Sequence, residues 1–206
     1  FPAVLLSNQE ILTTNTFSSG FNSDNFQQDI IYSLIIDIDG SVNLNSYDGS
    51  GYIIDIQNRP GRVGFPEVIE SKIGNPRLVK FREIETDRLL QVKGWDLKLG
   101  NQTFWNLYLM SFGSNINLNN LNLINTEIIG TGDINMGKNL NSGDIFISGN
   151  FNIYVDTSLP IVVIGSAEVP AEWIDATIGY LNQTNENYKF KVIVEEGSNV
   201  VFQNGE

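Results

Sequence analysis

The stretch 115–156 constrains the fold of this chain more than any other. Its apolar residues alternate with polar ones, mostly Asn, and the alternation is interrupted by Gly130, Gly132, Gly137, Gly143 and Gly149. A period of two places successive side chains on opposite faces of a sheet, so the stretch predicts consecutive short strands joined by glycine-containing turns. One face of these strands would be apolar and the other rich in amides.

Strand and turn signals recur outside this stretch. The dipeptide Asp39-Gly40 predicts a hairpin between the apolar runs on either side of it. Segments 77–85, 88–100 and 103–112 predict three further strands, and 189–195 with 199–203 predict a final strand pair around Gly197. Short strands with regularly spaced turns are typical of an antiparallel sandwich.

The sequence therefore predicts an all-β fold, an antiparallel β-sandwich or jelly-roll-like arrangement. The alternative is a β-solenoid, which needs a sustained repeat, whereas the tetrapeptide IIDI recurs only once, at 35–38 and 53–56. At most one short helix is expected, near 171–181, where Pro170 stands at the start and Trp173 and Tyr180 follow at helical spacing.

Composition changes along the chain suggest its organisation. Residues 1–29 read as an N-terminal arm and loop, and residues 30–206 as a β domain. That domain could divide near 113, where a basic, aromatic half gives way to an Asn-rich half. The first residue is Phe rather than Met, so we expect a processed or trimmed chain.

The residue types that carry most catalytic chemistry are missing. The 206 residues include no Cys and no His, which removes disulfides, thiolate metal sites and the commonest general base. A calcium loop of the EF-hand type at 37–48 is disfavoured, because Gly40 falls at position 4 instead of 6 and Asp48, not Glu, stands at position 12. A carboxylate-pair glycoside hydrolase is the least favoured class; its candidate acids are Asp133, Asp144, Glu168, Glu172 and Asp175. We predict no enzyme, catalytic residue, cofactor or metal site.

The charge distribution bears on partners. The net charge of −12 opposes binding to nucleic acid and to anionic membranes. Residues 1–58 contain seven acids and no base, whereas 59–98 contain nine of the twelve basic residues. These bases could simply be scattered over solvated strand faces. The alternative is a basic patch, comprising Arg77, Lys80 and Arg82, that contacts the acidic surface of a neighbouring copy.

The N-terminal segment FPAVLL is apolar and precedes a Ser/Thr/Asn-rich run. It reads either as an edge strand of its own sheet or as a strand donated to the next subunit through Phe1, Val4, Leu5 and Leu6. No stretch approaches the roughly 20 apolar residues of a membrane span.

Two residue classes leave alternatives open. A core role is favoured over a sugar-stacking platform for Trp95, Phe104, Trp105, Tyr108 and Phe112. The Asn excess could reflect codon bias, amide ladders between stacked strands, or hydrogen bonding to sugar hydroxyls. Sequons begin at Asn101 and Asn182, and either could be glycosylated in an exported protein.

These features favour a non-enzymatic structural subunit at an extracellular, cell or virion surface. It would assemble with copies of itself into a filament, surface layer or virion component, by N-terminal strand exchange. The alternative is a carbohydrate- or surface-binding β-sandwich module, whose partners would be glycans.

Overall fold

The computed structural model describes residues 13–18, 30–38, 40–58, 67–71, 73–82, 94–165, 174–176, 179–181, 188–195 and 197–203. These residues contain fifteen β-strands, joined by turns and loops, and no helix. The strands are β1 (Thr13–Ser18), β2 (Ile31–Asp37), β3 (Val42–Tyr47), β4 (Tyr52–Asn58), β5 (Glu67–Glu70), β6 (Arg77–Arg82), β7 (Gly94–Gly100), β8 (Phe104–Asn117), β9 (Asn122–Met136), β10 (Ile145–Asp156), β11 (Ile161–Gly165), β12 (Ile174–Ala176), β13 (Gly179–Leu181), β14 (Phe190–Val194) and β15 (Asn199–Gln203). The all-β class is confirmed.

Two layers form because the three longest strands, β8, β9 and β10, each contribute to both. Layer 1 contains their first halves, with β2, β6 and β5 on one side and β14, β11, β13 and β12 on the other. Layer 2 contains their second halves, with β3, β7, β4 and β1 on one side and β15 on the other. The inner faces of the two layers share one apolar core, a sandwich-like packing.

The central strands are parallel, which corrects the antiparallel part of the expectation. Leu109 pairs with Ile128, and Ile128 pairs with Ile147, so in β8, β9 and β10 each coil of chain lies on the one eighteen or nineteen residues before it. This is the stacked-coil pairing of the β-solenoid alternative. Antiparallel pairs occur where the stack ends: β1 with β4, β4 with β7, β5 with β6, β11 with β13, and β12 with β13.

The core follows directly from the alternation in the sequence. In β2 every second residue is buried, and the same holds over the first eight residues of β8. The layers contact one another through aromatic side chains: the Phe81 ring of layer 1 meets the Trp95 ring of layer 2 edge-on, with centroids 5.9 Å apart. Full burial of such side chains contributes about 1.5–3 kcal/mol each.

Glycines occupy the corner where each coil passes from layer 1 to layer 2. Gly130 and Gly149 stack there with φ of 132° and 115°. A Cβ on Gly130 would lie 1.7 Å from the Ser111 carbonyl oxygen, and one on Gly149 would lie 2.0 Å from the Gly130 carbonyl oxygen. Only a residue without a side chain fits such close backbone stacking.

Serines complete the corner of the β8 coil. The hydroxyls of Ser111 and Ser114 are 2.6 Å apart and buried, and the Val42 backbone N–H donates to Ser114 Oγ (2.9 Å). Gly113, with φ of 68°, marks the bend. The suggested domain division near 113 therefore falls at this corner, within the continuous strand β8, and stays a prediction.

Two predicted strand pairs are wrong in their partners. The runs flanking Asp39-Gly40 are strands β2 and β3, but they lie in different layers and pair with β8 instead of each other. Likewise β14 and β15 both pair with β10, in layers 1 and 2 respectively. Both predicted pairs are thus divided between the two layers, because the neighbouring coil supplies the backbone partners that a hairpin would supply.

The predicted helix near 171–181 is also wrong where the chain is described. The short strands β12 and β13 occupy 174–176 and 179–181 and pair with one another, and β13 pairs with β11. An isolated helix of about eleven residues is marginal in water. Pairing to an existing sheet edge satisfies the same backbone groups and overrides the weak helical spacing.

Candidate functional site

Side-chain amides hydrogen-bond from coil to coil along layer 1. Asn125 Nδ2 donates to Asn106 Oδ1 (2.9 Å), and Asn106 Nδ2 donates to Ser33 Oγ (3.2 Å). Two similar bonds join the turns between coils: Asn139 to Asn120 (3.0 Å) and Asn141 to Asn122 (3.2 Å). These residues form amide ladders between stacked strands and turns, as one of the interpretations of the Asn excess predicts.

A shallow groove of ≈ 610 Å³ lies on the outer face of layer 1, and we call it the layer-1 groove. Two neighbouring rows of side chains line it, each with one residue from β2, β8 and β9; the fourth residue is Asp144, just before β10, in one row and Phe146 of β10 in the other. The polar row comprises Ser33, Asn106, Asn125 and Asp144. The mixed row comprises Ile35, Tyr108, Glu127 and Phe146.

A β-bulge aligns the polar row. The pairing of β8 with β9 shifts between Trp105 and Asn106, so that Ile124 is the extra residue. Without this shift Asn106 would oppose Ile124, and Asn125 would not reach it. Bulges commonly redirect a side chain in this way at functional surfaces.

The layer-1 groove is acidic, and the Tyr108 hydroxyl within it stays protonated. Burial raises the pKa of the Tyr108 hydroxyl, and the nearby carboxylates of Glu127 and Asp37 raise that pKa further. The hydroxyl is therefore a hydrogen-bond donor at neutral pH. Asp144 is held at the groove edge by the Lys191 backbone N–H, which donates to its Oδ1 (3.0 Å).

The aromatic residues predicted to form the core divide between two faces. Trp95 and Trp105 are 2% and 0% exposed, which confirms their core role. The prediction is wrong for Phe104 and Phe112, which are 40% and 46% exposed, and for Tyr108, which is half-buried on the outer face. The period of two within β8 would have separated these sets, because Trp105 and Leu107 alternate with the outer residues.

The proposed basic patch is only partly assembled. Lys80 and Arg82 lie on the outer face of β6, opposite Ile35 and Asp37 of β2, so Lys80 extends the mixed row of the groove. Arg77 lies at the core rim instead, where its Nη1 donates to the Tyr32 hydroxyl (3.2 Å). The arm residues Phe1, Val4, Leu5 and Leu6 are outside the described residues.

The acids suggested for a hydrolase are not brought together where they are described. Asp144 lies on layer 1 just before β10, Asp133 lies on layer 2, and Asp175 lies on β12, four strands from β10 at the edge of layer 1. Glu168 and Glu172 fall outside the described residues. Within the described ranges no three or more acidic, His or Cys side chains are placed to hold a metal ion. In the same part of the chain, no helix has the length and apolarity to cross a membrane.

The sequon residue Asn101 is half-buried, and its Oδ1 accepts a hydrogen bond from the Gly49 backbone N–H (3.3 Å). Asn182 is outside the described residues. Glycosylation of either stays a prediction.

Comparison with known proteins finds a similar fold but no matching family. No family model matches the chain, and no curated protein matches it. In structure it is similar to a candidate cell adhesion protein from Clostridium sporogenes, with a TM-score of 0.69 and 11% identity over 95% of this chain and 100% of that one. A candidate adhesin from Parabacteroides distasonis gives a TM-score of only 0.37 at 9% identity, over 93% of this chain and 68% of that one, which is too low to show a shared fold. The chain thus shares an all-β fold with the clostridial protein.

Proposed function

We propose that this protein is a non-enzymatic surface-binding module that acts outside the cell and binds glycans in the layer-1 groove. The single observation that carries the proposal is the composition of that groove. Two partly exposed aromatic rings, Tyr108 and Phe146, flank the carboxylate of Glu127, beside a row of ordered amides. The fold shared with a candidate cell adhesion protein supports a place at the cell surface.

The chemistry of the groove suits sugars better than apolar or strongly charged ligands. Aromatic rings offer a flat apolar face to the C–H groups of a sugar ring. Amides donate and accept, and carboxylates accept, so together they match hydroxyl groups that do both. The ladder from Asn125 through Asn106 to Ser33 orders the amides in advance, which lowers the entropy cost of binding.

The proposal predicts that removing both aromatic rings abolishes selective glycan binding. In the variant Tyr108→Ala/Phe146→Ala, affinity for glycans selected by the wild type on an array should fall at least about tenfold, since buried aromatic contacts dominate binding energy. The measurement is titration calorimetry with the selected glycans. Thermal unfolding should show that the variant remains folded, because both side chains lie on the outer face.

Phe112→Ala is the matched control, because it removes an exposed ring from the same face of β8 outside the groove lining. Its affinity should equal that of the wild type. Equal losses of affinity in Phe112→Ala and in the double variant, or wild-type affinity in the double variant, would show that the layer-1 groove is not the glycan-binding site. Cleavage of a bound glycan would contradict the non-enzymatic part.

Self-assembly by strand exchange is a second candidate function, favoured by the position of β1. This strand pairs only with β4 among the described strands and ends layer 2, and the apolar segment 1–6 precedes it in the chain. A segment next to a sheet edge is well placed to pair with another copy.

Deletion of residues 1–12 should then convert polymers into folded monomers, as measured by light scattering and circular dichroism. Arg77→Glu/Lys80→Glu/Arg82→Glu tests the charge contribution separately. A wild-type protein that is monomeric at all concentrations, or a deletion variant that still polymerises, would exclude strand exchange.

A further inference from the structure

A second polar row crosses the outer face of layer 2, and we call it the layer-2 row. The pairing registers place one amide or carboxylate on each of six successive strands, β7, β3, β8, β9, β10 and β15. The residues are Asp96, Asn43, Asn115, Asp133, Asn152 and Asn199. With strands about 4.8 Å apart, the row is about 24 Å long.

Hydrogen bonds that stabilise the stack of coils account for only some of the polar residues in this row. Asn43 Nδ2 donates to Asp96 Oδ1 (3.0 Å), and Asn152 Nδ2 donates to Asp133 Oδ1 (3.0 Å). Asn115 stands between these two pairs, and its side chain makes no hydrogen bond within the described part of the chain. The ladder of layer 1, in contrast, couples each amide to the next.

The Asn residues of the row are also exposed, and their presence on strands lowers the stability of the sheet. Asn43, Asn115, Asn152 and Asn199 are all exposed. Asn is a poor strand former, so exposed strand positions without a bonding role are expected to favour Thr or Val. Even the paired amides keep one N–H and at least one oxygen lone pair for an external partner. The row therefore presents donors and acceptors repeated at the strand spacing.

We propose that the layer-2 row binds one extended, neutral polysaccharide chain that runs across the strands. A polymer of sugar rings repeats hydroxyl donors and acceptors along its length, as the row does. The carboxylates of Asp96 and Asp133 would repel a polyanion such as nucleic acid or a uronic acid polymer. This site is separate from the layer-1 groove, because it lies on the other layer.

The test is affinity electrophoresis in native gels that contain hydroxyethylcellulose, galactomannan or dextran. At least one of these polymers should retard the wild type. Asn115→Leu/Asn199→Leu should weaken that retardation about tenfold in apparent affinity, as expected for lost hydrogen bonds at two positions. Oligosaccharides of the same polymer should bind more tightly up to about six sugar units, one for each strand of the row.

Tyr108→Ala/Phe146→Ala separates this inference from the proposed function, because it changes only the layer-1 groove. Its retardation should equal that of the wild type. The layer-2 row is refuted if none of the three polymers retards the wild type. It is also refuted if the groove variant loses retardation while Asn115→Leu/Asn199→Leu keeps it, with both variants folded by circular dichroism.

Discussion

Gly130→Ala should lower the free energy of unfolding by about 3–5 kcal/mol, enough to leave much of the protein unfolded. Two causes act together at this corner. The backbone φ of 132° is one that L side chains rarely adopt, and the new Cβ would lie 1.7 Å from the Ser111 carbonyl oxygen. That oxygen belongs to the backbone of the preceding coil, so relief requires the coils to separate. Urea denaturation followed by circular dichroism measures the loss.

Two other glycines provide graded controls. Gly113 has φ of 68°, but no heavy atom lies within 4 Å of a Cβ built there, so Gly113→Ala should cost about 1–2 kcal/mol from backbone strain alone. Gly94 lacks both problems, and Gly94→Ala should change stability by less than about 1 kcal/mol. Equal stabilities of the Gly130 and Gly94 variants would show that the coils do not stack closely at this corner.

Ile134→Lys should prevent folding under native conditions. Ile134 is fully buried in the core, between its neighbours Ile116 on β8 and Ile153 on β10. An ammonium group placed there without a partner costs several kcal/mol in addition to the lost apolar contacts. The free energy of unfolding of a typical domain is about 5–15 kcal/mol, so this single change can exceed it. Soluble yield and the dispersion of NMR signals would report the outcome.

Asn135→Lys is the matched control, because it changes the next residue of the same strand on the opposite face. Asn135 is half-buried, and the loss there should stay within about 1 kcal/mol. A one-residue slip of β9 would reverse the two results, since it exchanges the faces of every side chain. The pair therefore tests the register of the stack as well as the position of the core.

The alternation in the sequence was enough to predict the strands and their inner faces, but the direction of pairing was not. Asp39-Gly40 suits a hairpin as well as it suits a corner, because both need a tight turn at that point. What separates the two cases is the partner strand, which here lies more than sixty residues away, since Ile36 pairs with Leu109. No local signal carries that information.

A repeat of nineteen residues was nevertheless present in the sequence. It relates Gly130 to Gly149 and Asn120 to Asn139, both of which stack in the structure. Bulges obscure it in the coil before, where Phe104 pairs with Asn122 at eighteen residues. A search for amide and glycine recurrence at a spacing of eighteen to nineteen would have favoured the solenoid.

The layer-1 groove could not be predicted from the sequence, because its residues come from separate strands between Ser33 and Phe146. The sequence could place Tyr108 on the same face as Phe104 and Phe112, but not beside Glu127. That contact depends on the bulge at Ile124, whose position follows from the pairing of β8 with β9. The charge pattern likewise could not show that Arg77 contacts Tyr32 instead of the solvent.

The most direct test of glycan binding in the layer-1 groove is an NMR titration of ¹⁵N-labelled protein with an array-selected glycan. The side-chain amide signals of Asn106 and Asn125 should shift together with the backbone signal of Tyr108. The signals of Asn120 and Asn139, an amide pair outside the groove lining, should stay in place. Shifts confined to Asn43, Asn115 and Asn152 on layer 2, with no change at Asn106 or Asn125, would contradict the account.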